Sequence, residues 1–426
     1  MKVFISKNSI FSNPIQYIWK LFAANKNVEY VWTDEKKSAD FIIDETTDSD
    51  LPITIDFYHS INNGHFDFEK HFKNDCIIRT QNNSDYLASA FYMINCLQEY
   101  NAKDFDELGR FRFSDSYQFK YGNIQYNLVQ NYFDALIDFH PKLQQFNSKT
   151  KSKFFLSHDL DSINGALFQD GFHALKHGNP FILFKLFFNA AIGKPDWLNM
   201  DKIMKIESEY DFKSTFFWLV NKGKINKREV NSDYDISSPK IQGTIKKIKS
   251  EGFENGLHKS ISSESFSDEL KKIEDNVKGN RCHYLKFKLP HLFDKIEESG
   301  ILMDASLGFA EAYGFRNSYG RPFHPYNFSK KTNYNFIEVP LHVMDGTFQR
   351  YLKMPCEKTA DSIISFLETN KYDSVISILW HNTFFSDYKY KGYAGQYKKI
   401  LSYLYESKFE CINQSEIIKQ YSWMNR

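Results

Sequence analysis

The stretch from Phe154 to Ser162 constrains the fold of this chain more than any other. It reads FFLSHDLDS, an apolar run that ends abruptly in polar and acidic residues. Such a run is typical of a buried parallel strand, because a strand covered on both faces is apolar throughout. Side chains alternate along a strand, so Asp159 and Asp161 leave the same face. We therefore expect two carboxylates to converge at the C-terminal end of a buried strand.

Two buried carboxylates repel each other unless a positive group joins them. A divalent metal bound by one carboxylate and a proton accepted by the other would satisfy both, as in metal-assisted hydrolysis. The alternative is structural, since a pair of aspartates after a strand can cap the following helix or turn. The stretch on its own leaves both interpretations open.

After residue 150, apolar strands alternate with amphipathic helices. Seven strands are predicted, at 153–158, 214–220, 253–258, 281–286, 301–305, 335–341 and 374–381. This alternation favours a parallel sheet, and closure of the sheet into a barrel would bring the C-terminal strand ends to one face. The sequence therefore predicts an α/β fold, a distorted (β/α)7 barrel, in which polar residues far apart in sequence surround one site.

The first 150 residues have a different pattern. Short strands are predicted at 2–6, 28–32, 40–43 and 52–56, and helices at 15–24, 85–100 and 124–139. The polar stretch from Gln144 to Lys153 has the composition of a linker. We therefore divide the chain into a smaller N-terminal α/β domain of unknown role at 1–150 and a barrel domain at 151–426.

The segment 163–198 does not fit the alternation, and we treat it as an insertion in the barrel. Residues 181–188 read FILFKLFF, which is more apolar than a surface loop should be. One interpretation is a lid or patch that contacts an apolar or lipid-linked part of a substrate. The other, which we favour, is a helix packed on the barrel or on the first domain, because most apolar runs of this length are core.

Composition excludes several classes of function. The 54 Lys and Arg balance 53 Asp and Glu, and a net charge of +1 gives no field that would gather nucleic acid. The five scattered cysteines argue against a disulfide framework and a thiolate zinc site. The N-terminus lacks a secretory signal, and no apolar window approaches the length of about eighteen residues of a transmembrane helix. We expect a soluble, cytoplasmic protein, whose oligomeric state the sequence does not predict.

From residue 153 to residue 406 the sequence resembles the polysaccharide deacetylases of the NodB-homology type, carbohydrate esterase family 4. The stretch HDLD resembles the first motif of that family, in which Asp159 would be the general base and Asp161 a metal ligand. The stretch NGLH resembles the start of the second motif, with His258 as a further ligand. The resemblance implies a barrel of NodB type and a divalent metal, most commonly Zn²⁺.

The second motif of the family has another histidine four residues after the first, and this chain has Ser262 there. The usual spacing aligns two imidazoles on one helical turn for Zn²⁺, so one ligand is missing. We consider His283 as its replacement, the alternatives being a water molecule in the metal shell and a His283 that contacts only sugar. His173 and His177 have the right spacing but lie in the insertion, and we expect them to be surface residues.

The remaining motifs match in part. By resemblance, Arg281 orients Asp159, and the backbone amide of Tyr284 helps to hold the oxyanion. The stretch SILWHN resembles the last motif, in which an apolar strand ends in a histidine that protonates the leaving amine; here this is His381. Asp345 matches, loosely, the carboxylate that tunes that histidine. The family often has Asp where this chain has Asn382.

The resemblance therefore implies a metal-dependent hydrolase that removes an acetyl group from an N-acetylated sugar of a bacterial surface polysaccharide or its precursor. An acetylated glycan would be its partner. A second hypothesis is a glycan-binding or assembly protein that no longer holds metal tightly, because of Ser262. A third is an O-acetyl sugar esterase. The presence of both Asp159 and His381 favours catalysis, since a binding protein needs neither a base nor an acid.

Overall fold

The N-terminal part of the chain is built on a small parallel sheet. In the computed structural model, which describes residues 1–7, 9–68, 72, 75–80, 83–225, 230–273, 276–386 and 388–422, strand β1 (Lys2–Ile5) lies between two others. The elements of this part are β1, α1 (Ser12–Lys26), β2 (Val31–Thr33), β3 (Phe41–Ile43), α2 (Ile55–Asn62), β4 (Arg79–Thr80), β5 (Asn83–Ser84), α3 (Tyr86–Ile94), α4 (Tyr117–Lys120) and α5 (Leu128–Phe139). Strands β2 and β3 pair with β1 on its two sides.

Capping residues fix the helices of this part. The side chain of Asp85 accepts the backbone N–H of Ala88 and begins α3, and Asn127 caps α5 in the same way. The second oxygen of Asp85 accepts the N–H of Thr54 at 2.7 Å. The strand predicted at 52–56 is wrong, because the chain is held at Thr54 by this carboxylate and begins α2 at Ile55.

The second part is organised around one parallel sheet. Its strands are β6 (Lys153–Leu160), β7 (Thr215–Leu219), β8 (Glu254–Lys259), β9 (Gly279–Cys282), β10 (Met303–Asp304), β13 (Ile337–Glu338), β14 (Leu341–Met344), β15 (Val375–Leu379) and β16 (Glu410–Cys411), and β11 (Tyr326–Asn327) and β12 (Thr332–Asn333) form a separate antiparallel pair. The spatial order is β13-β10-β9-β8-β7-β6-β15-β14, with β16 added beside β6.

Helices connect these strands in the alternation that the sequence predicts. They are α6 (Ala166–Lys176), α7 (Pro180–Ala191), α8 (Met200–Ser208), α9 (Pro239–Ser250), α10 (Phe266–Leu270), α11 (His291–Ser299), α12 (Cys356–Thr369), α13 (Tyr393–Glu406) and α14 (Gln414–Tyr421). Apolar residues recur at helical spacing in the sequence from Phe266 to Val277, whereas α10 ends at Leu270; residues 274–275 lie outside the described part of the chain. A parallel α/β sheet is therefore confirmed.

The sheet differs from the predicted seven-stranded barrel. Its ladder runs through eight strands and ends at β13 and β14, so the paired strands form a curled half-barrel. The gap is bridged outside the ladder, where the N–H of Leu341 donates to the carbonyl of Leu307 at 3.0 Å. The strand predicted at 281–286 ends at Cys282, and the chain leaves the sheet there.

One hydrophobic core runs through both parts of the chain. The rings of Tyr17 and Tyr326, one from each part, lie 5.2 Å apart between centroids. A buried ion pair joins Glu99 to Arg316, with Nε at 2.9 Å and Nη2 at 2.6 Å from the two carboxylate oxygens. The division near residue 150 stays a prediction, and the two parts share their apolar interior.

Candidate active site

Asp159 and Asp161 lie at the C-terminal end of a central strand, as the sequence predicts. Asp159 is in β6, which has β7 on one side and β15 on the other, and is 3% exposed. Asp161 follows the strand directly, and its side chain is 30% exposed. Neighbouring parallel strands end at the same edge of the sheet, so side chains from β8, β9 and β15 reach these carboxylates.

A buried guanidinium holds Asp159. Nη1 of Arg281, from β9, donates to Asp159 Oδ1 at 2.9 Å and to Ser157 Oγ at 2.8 Å, and its Nε donates to the carbonyl of Ala305 at 2.9 Å. The guanidinium also stacks over Phe217. Burial raises the pKa of Asp159, but the charges of Arg281, His258 and His381 together outweigh it and hold the pKa below its usual value. Asp159 is therefore ionised and fixed in position.

The imidazole of His258 faces both carboxylates. Its Nδ1 lies 2.9 Å from the carbonyl of Arg281, which requires the proton on Nδ1 and leaves Nε2 toward the site. Nε2 is 3.2 Å from Asp161 Oδ1 and 3.6 Å from Asp159 Oδ2. Burial lowers the pKa of His258, but the charges of Asp159 and Asp161 outweigh it and raise the pKa. The two carboxylates thus draw positive charge to this point.

His283 lies beside the same carboxylate, in a turn after β9. The turn spans His283–Leu285, and Tyr284 and Leu285 have φ angles of 59° and 51°, in the left-handed region. Nε2 of His283 is 3.6 Å from Asp161 Oδ1, and its ring stacks on that of Tyr284. Burial lowers the pKa of His283 to about 4, so the imidazole is neutral and free to bind a metal.

Asp161, His258 and His283 have the geometry of a metal site. One carboxylate oxygen and two imidazole nitrogens lie within 4.8 Å of one another. Zn²⁺ in catalytic sites commonly takes three such ligands and keeps one position open. The backbone bond at Nδ1 of His258 orients its second nitrogen, as is usual for metal-binding histidines. These residues therefore fit a divalent metal.

The other candidate positions for a ligand histidine lie outside this group of side chains. Ser262 lies in a bend after β8, where its Oγ donates to Glu269 Oε1 at 2.9 Å, so the helical spacing of the family is not formed. His173 lies in α6 and His177 directly after it; their rings stack with centroids 4.2 Å apart, and both residues belong to the insertion. Among the described residues, His283 is thus the histidine that joins Asp161 and His258.

His381 approaches from the opposite side of the site. It follows β15, and its Nδ1 lies 2.6 Å from Oδ1 of Asp345, a buried residue that follows β14. Burial lowers the pKa of His381, but the charge and hydrogen bond of Asp345 outweigh it and raise the pKa to about 9. Its Nε2 is 3.8 Å from Asp161 Oδ2. His381 is therefore protonated at neutral pH, with Nε2 toward the site.

Two supporting contacts were not predicted. His158 is fully buried, and its Nε2 lies 2.8 Å from Oε1 of Glu207 in α8, which also accepts the hydroxyls of Ser214 and Tyr397. Nδ1 of His158 bonds the carbonyl of Trp380, so this network ties β6 to the residue before His381. Glu207 is an isolated glutamate in an amphipathic helix, and the sequence around it does not indicate that it contacts His158.

The N-terminal part supports the turn that carries His283. Nη1 of Arg110 donates to the carbonyl of Tyr284 at 3.0 Å, and its Nε donates to Asp106 at 2.7 Å. Arg110 is buried, and it also reaches the hydroxyl of Tyr351. The oxyanion role of the Tyr284 amide stays a prediction.

A large cavity adjoins His283. Its volume is about 1320 Å³, and it lies between the serine-rich turn after β8, the start of α11 and the loop at Glu107 to Gly109. Serine residues, Lys286 and Lys295 line it together with apolar residues. A cavity of this size and mixed polarity has room for several sugar rings.

Comparison with known proteins gives one match to a family model and a set of similar solved structures. Residues 3–146 match DUF7033, a family of unknown function. No curated protein matches the sequence.

Three solved structures illustrate the similarity. A proposed polysaccharide deacetylase from Mycobacterium smegmatis has a TM-score of 0.41 and 13% identity, over 65% of this chain and 93% of that one. A 4-α-glucanotransferase from Thermococcus litoralis has a TM-score of 0.37 and 12% identity, over 63% and 38%. A family 4 pseudoenzyme from Bacillus anthracis has a TM-score of 0.33 and 11% identity, over 63% and 66%. The chain is thus similar to polysaccharide deacetylases and other family 4 proteins, and its own residues have to carry any functional conclusion.

Proposed function

We propose that this protein is a metal-dependent hydrolase that removes an acetyl group from an N-acetylated sugar of a bacterial surface polysaccharide or its precursor. The observation that carries the proposal is the placement of an ionised Asp159 and a protonated His381 beside one group of metal-binding side chains. Asp161, His258 and His283 would hold the metal, most commonly Zn²⁺. When bound, it supplies a Lewis acid that polarises the acetamide carbonyl.

Asp159 is the proposed general base. Its carboxylate is buried, ionised and fixed by Arg281, so it can take a proton from an attacking water without first being reoriented. Arg281 thus acts as a positioning residue.

His381 is the proposed general acid. Because Asp345 accepts the Nδ1 proton, Nε2 is the nitrogen that can donate toward the leaving group. The raised pKa of His381 keeps its imidazole protonated at neutral pH. An amine is a poor leaving group unless it is protonated, so this feature favours an amide substrate over an O-acetyl ester.

The second candidate is a glycan-binding protein that has lost catalysis. Ser262 favours it, because this serine stands where the family has a metal-binding histidine. The position of His283 weighs against this reading, since it offers a third ligand from another strand end. The cavity beside His283 suits a glycan in either case.

The test is acetate release from a panel of N- and O-acetylated oligosaccharides. Asp159→Asn and His381→Ala should each lower turnover by about two to four orders of magnitude while the protein keeps its metal. The double variant His173→Ala/His177→Ala is the control, because it removes two histidines outside the site, and its turnover should be unchanged. If Asp159→Asn and His381→Ala release acetate as fast as the unmodified protein does, the mechanism is refuted. If the protein binds glycans but releases no acetate, and both variants bind glycans with unchanged affinity, the protein is a binding protein.

A further inference from the structure

The insertion 163–198 forms a helical hairpin of α6 and α7 whose outer face is apolar. Of the nineteen large apolar side chains that are exposed in the described part of the chain, eight lie on this hairpin. They are Phe168, Phe172, Leu175, Phe181, Phe184, Phe187, Phe188 and Ile192, with exposures from 49% to 75%. The packed helix that the sequence favoured is therefore wrong for this face of α7.

The exposed residues follow helical spacing. Phe168, Phe172 and Leu175 recur at intervals of four and three, which places them on one side of α6. The opposite sides of the two helices pack together: Leu186 is 2% exposed, and a side chain at Gly171 would collide with Leu183. The hairpin is therefore amphipathic, with a packed inner side and an apolar outer side.

Exposed charge on the two hairpin helices and the turns beside them is basic. Between 164 and 195 the exposed charged side chains are Lys176, Lys185 and Lys194. The single acidic residue of this stretch, Asp170, is buried, where it accepts hydrogen bonds from Trp197 Nε1 at 3.1 Å and Ser386 Oγ at 2.7 Å. The apolar face is thus accompanied by three exposed lysines. One further carboxylate, Asp196, follows α7 in a half-buried position, where it accepts a hydrogen bond from Asn189 Nδ2 at 2.7 Å.

Both ends of the hairpin are fixed next to the candidate active site. Nδ2 of Asn382 donates to the carbonyl of Ser162 at 2.8 Å and to that of Trp197 at 2.7 Å. Asp233 accepts the hydroxyl of Ser162 and the N–H of Ile163. Since Ser162 follows Asp161 and Asn382 follows His381, the hairpin is anchored to the edge that carries the proposed chemistry.

We propose that the outer face of this hairpin docks onto an anionic lipid bilayer surface. An apolar face rich in Phe with lysines around it is the composition of helices that lie in the membrane interface. Helix α7 has 12 residues, and no described helix has the length and apolarity to cross a bilayer, so the hairpin would lie in the interface plane. A second copy of the chain is a poorer occupant, because a twofold contact through this face would bring the same lysines together.

Because both ends of the hairpin are anchored beside the candidate active site, docking would hold that site near the membrane surface. Glycans carried on lipids would then be within reach of Asp159 and His381. This consequence rests on the proposed function, whereas the docking itself does not.

The experiment is sedimentation of the full chain with phosphatidylcholine vesicles, with and without phosphatidylglycerol. The protein should bind the anionic vesicles and bind the neutral ones more weakly. Phe181→Ser/Phe184→Ser/Phe188→Ser should weaken binding to the anionic vesicles by at least about tenfold, because it removes apolar surface that enters the interface. Added salt should weaken binding of the unmodified protein.

A charge variant and a matched control complete the test. Lys176→Gln/Lys185→Gln/Lys194→Gln should reduce binding to anionic vesicles by at least about tenfold and leave the weak binding to neutral ones unchanged. The control variant Phe119→Ser/Tyr126→Ser/Phe139→Ser removes three aromatic rings from the N-terminal part, each 53% to 55% exposed. This variant should bind the vesicles as the unmodified protein does.

Three outcomes overturn the docking. One is the absence of binding to anionic vesicles at low salt, and another is loss of binding in the N-terminal control to the same extent as in the hairpin variant. The third is a dimer in sedimentation equilibrium that the triple phenylalanine variant converts to monomer, which assigns the face to a second copy. None of these readouts depends on acetate release, so failure of the docking and failure of the proposed function are distinguishable.

Discussion

Asp345 holds His381 with both of its carboxylate oxygens. Oδ1 lies 2.6 Å from the imidazole Nδ1, and Oδ2 accepts the backbone N–H of the same residue at 2.6 Å. The two bonds fix the position and the tautomer of the ring together. Burial lowers the pKa of His381, but the charge of Asp345 and its hydrogen bond together outweigh that effect and raise the pKa.

The pH dependence of turnover should report this pair. In the unmodified protein His381 has a pKa of about 9, so the proposed acid is lost and turnover falls as the pH rises through that value. Asp345→Asn removes the charge that raises the pKa and leaves the burial that lowers it. The alkaline limb of kcat should therefore move to lower pH, with the metal content unchanged. A limb that stays in place would show that another group controls it.

Metal content should identify the ligands. Asp161→Ala, His258→Ala and His283→Ala should each abolish stoichiometric metal in the purified protein, because the three side chains form the one such group in the described residues. Ser262→Ala is the matched control: Ser262 stands where the family has a histidine but is bonded to Glu269, so metal should remain. If His283→Ala keeps its metal and loses only glycan affinity, His283 contacts sugar and a water completes the shell.

Arg110 should influence the metal site from the N-terminal part of the chain. Its bond to the carbonyl of Tyr284 supports the turn that positions His283, and supporting contacts of this kind typically contribute about 10–100-fold to metal affinity. We expect Arg110→Ala to weaken Zn²⁺ affinity by about tenfold in a chelator competition.

Arg112 provides the control for that measurement. It is exposed and pairs with Asp115, two residues away from the buried arginine in sequence. Arg112→Ala should leave Zn²⁺ affinity unchanged. If Arg110→Ala lowers the unfolding temperature but not the affinity, its role is limited to packing.

The sequence predicted those parts of the site that follow from strand geometry. Side-chain alternation placed Asp159 and Asp161 together, and parallel strands brought His258 and His381 to the same edge. The position of His283 depends on a turn in which Tyr284 and Leu285 adopt positive φ angles. Neither is glycine, so no local pattern indicates that the chain leaves the sheet at Cys282.

Contacts between distant segments were beyond the reach of the sequence pattern. The partners of Arg110 and of Glu207 are set by how separate elements pack, and a single sequence carries no record of such pairs. The outer face of α7 shows a second limit. Apolar periodicity indicates that a face is covered, but it does not distinguish the protein's own core from an external surface.

The ion pair between Glu99 and Arg316 should couple the N-terminal part to the half-barrel. Both side chains are nearly fully buried, so removing one partner leaves an uncompensated buried charge. Arg316→Met should lower the free energy of unfolding by about 3–5 kcal/mol, and the double variant Glu99→Leu/Arg316→Met should recover much of that loss. Denaturant unfolding followed by circular dichroism and by tryptophan fluorescence measures both. Because one core spans the two parts, the unmodified protein should unfold in a single transition by both probes. Two separate transitions, with only one of them sensitive to Arg316→Met, would show that the division near residue 150 separates units that fold independently.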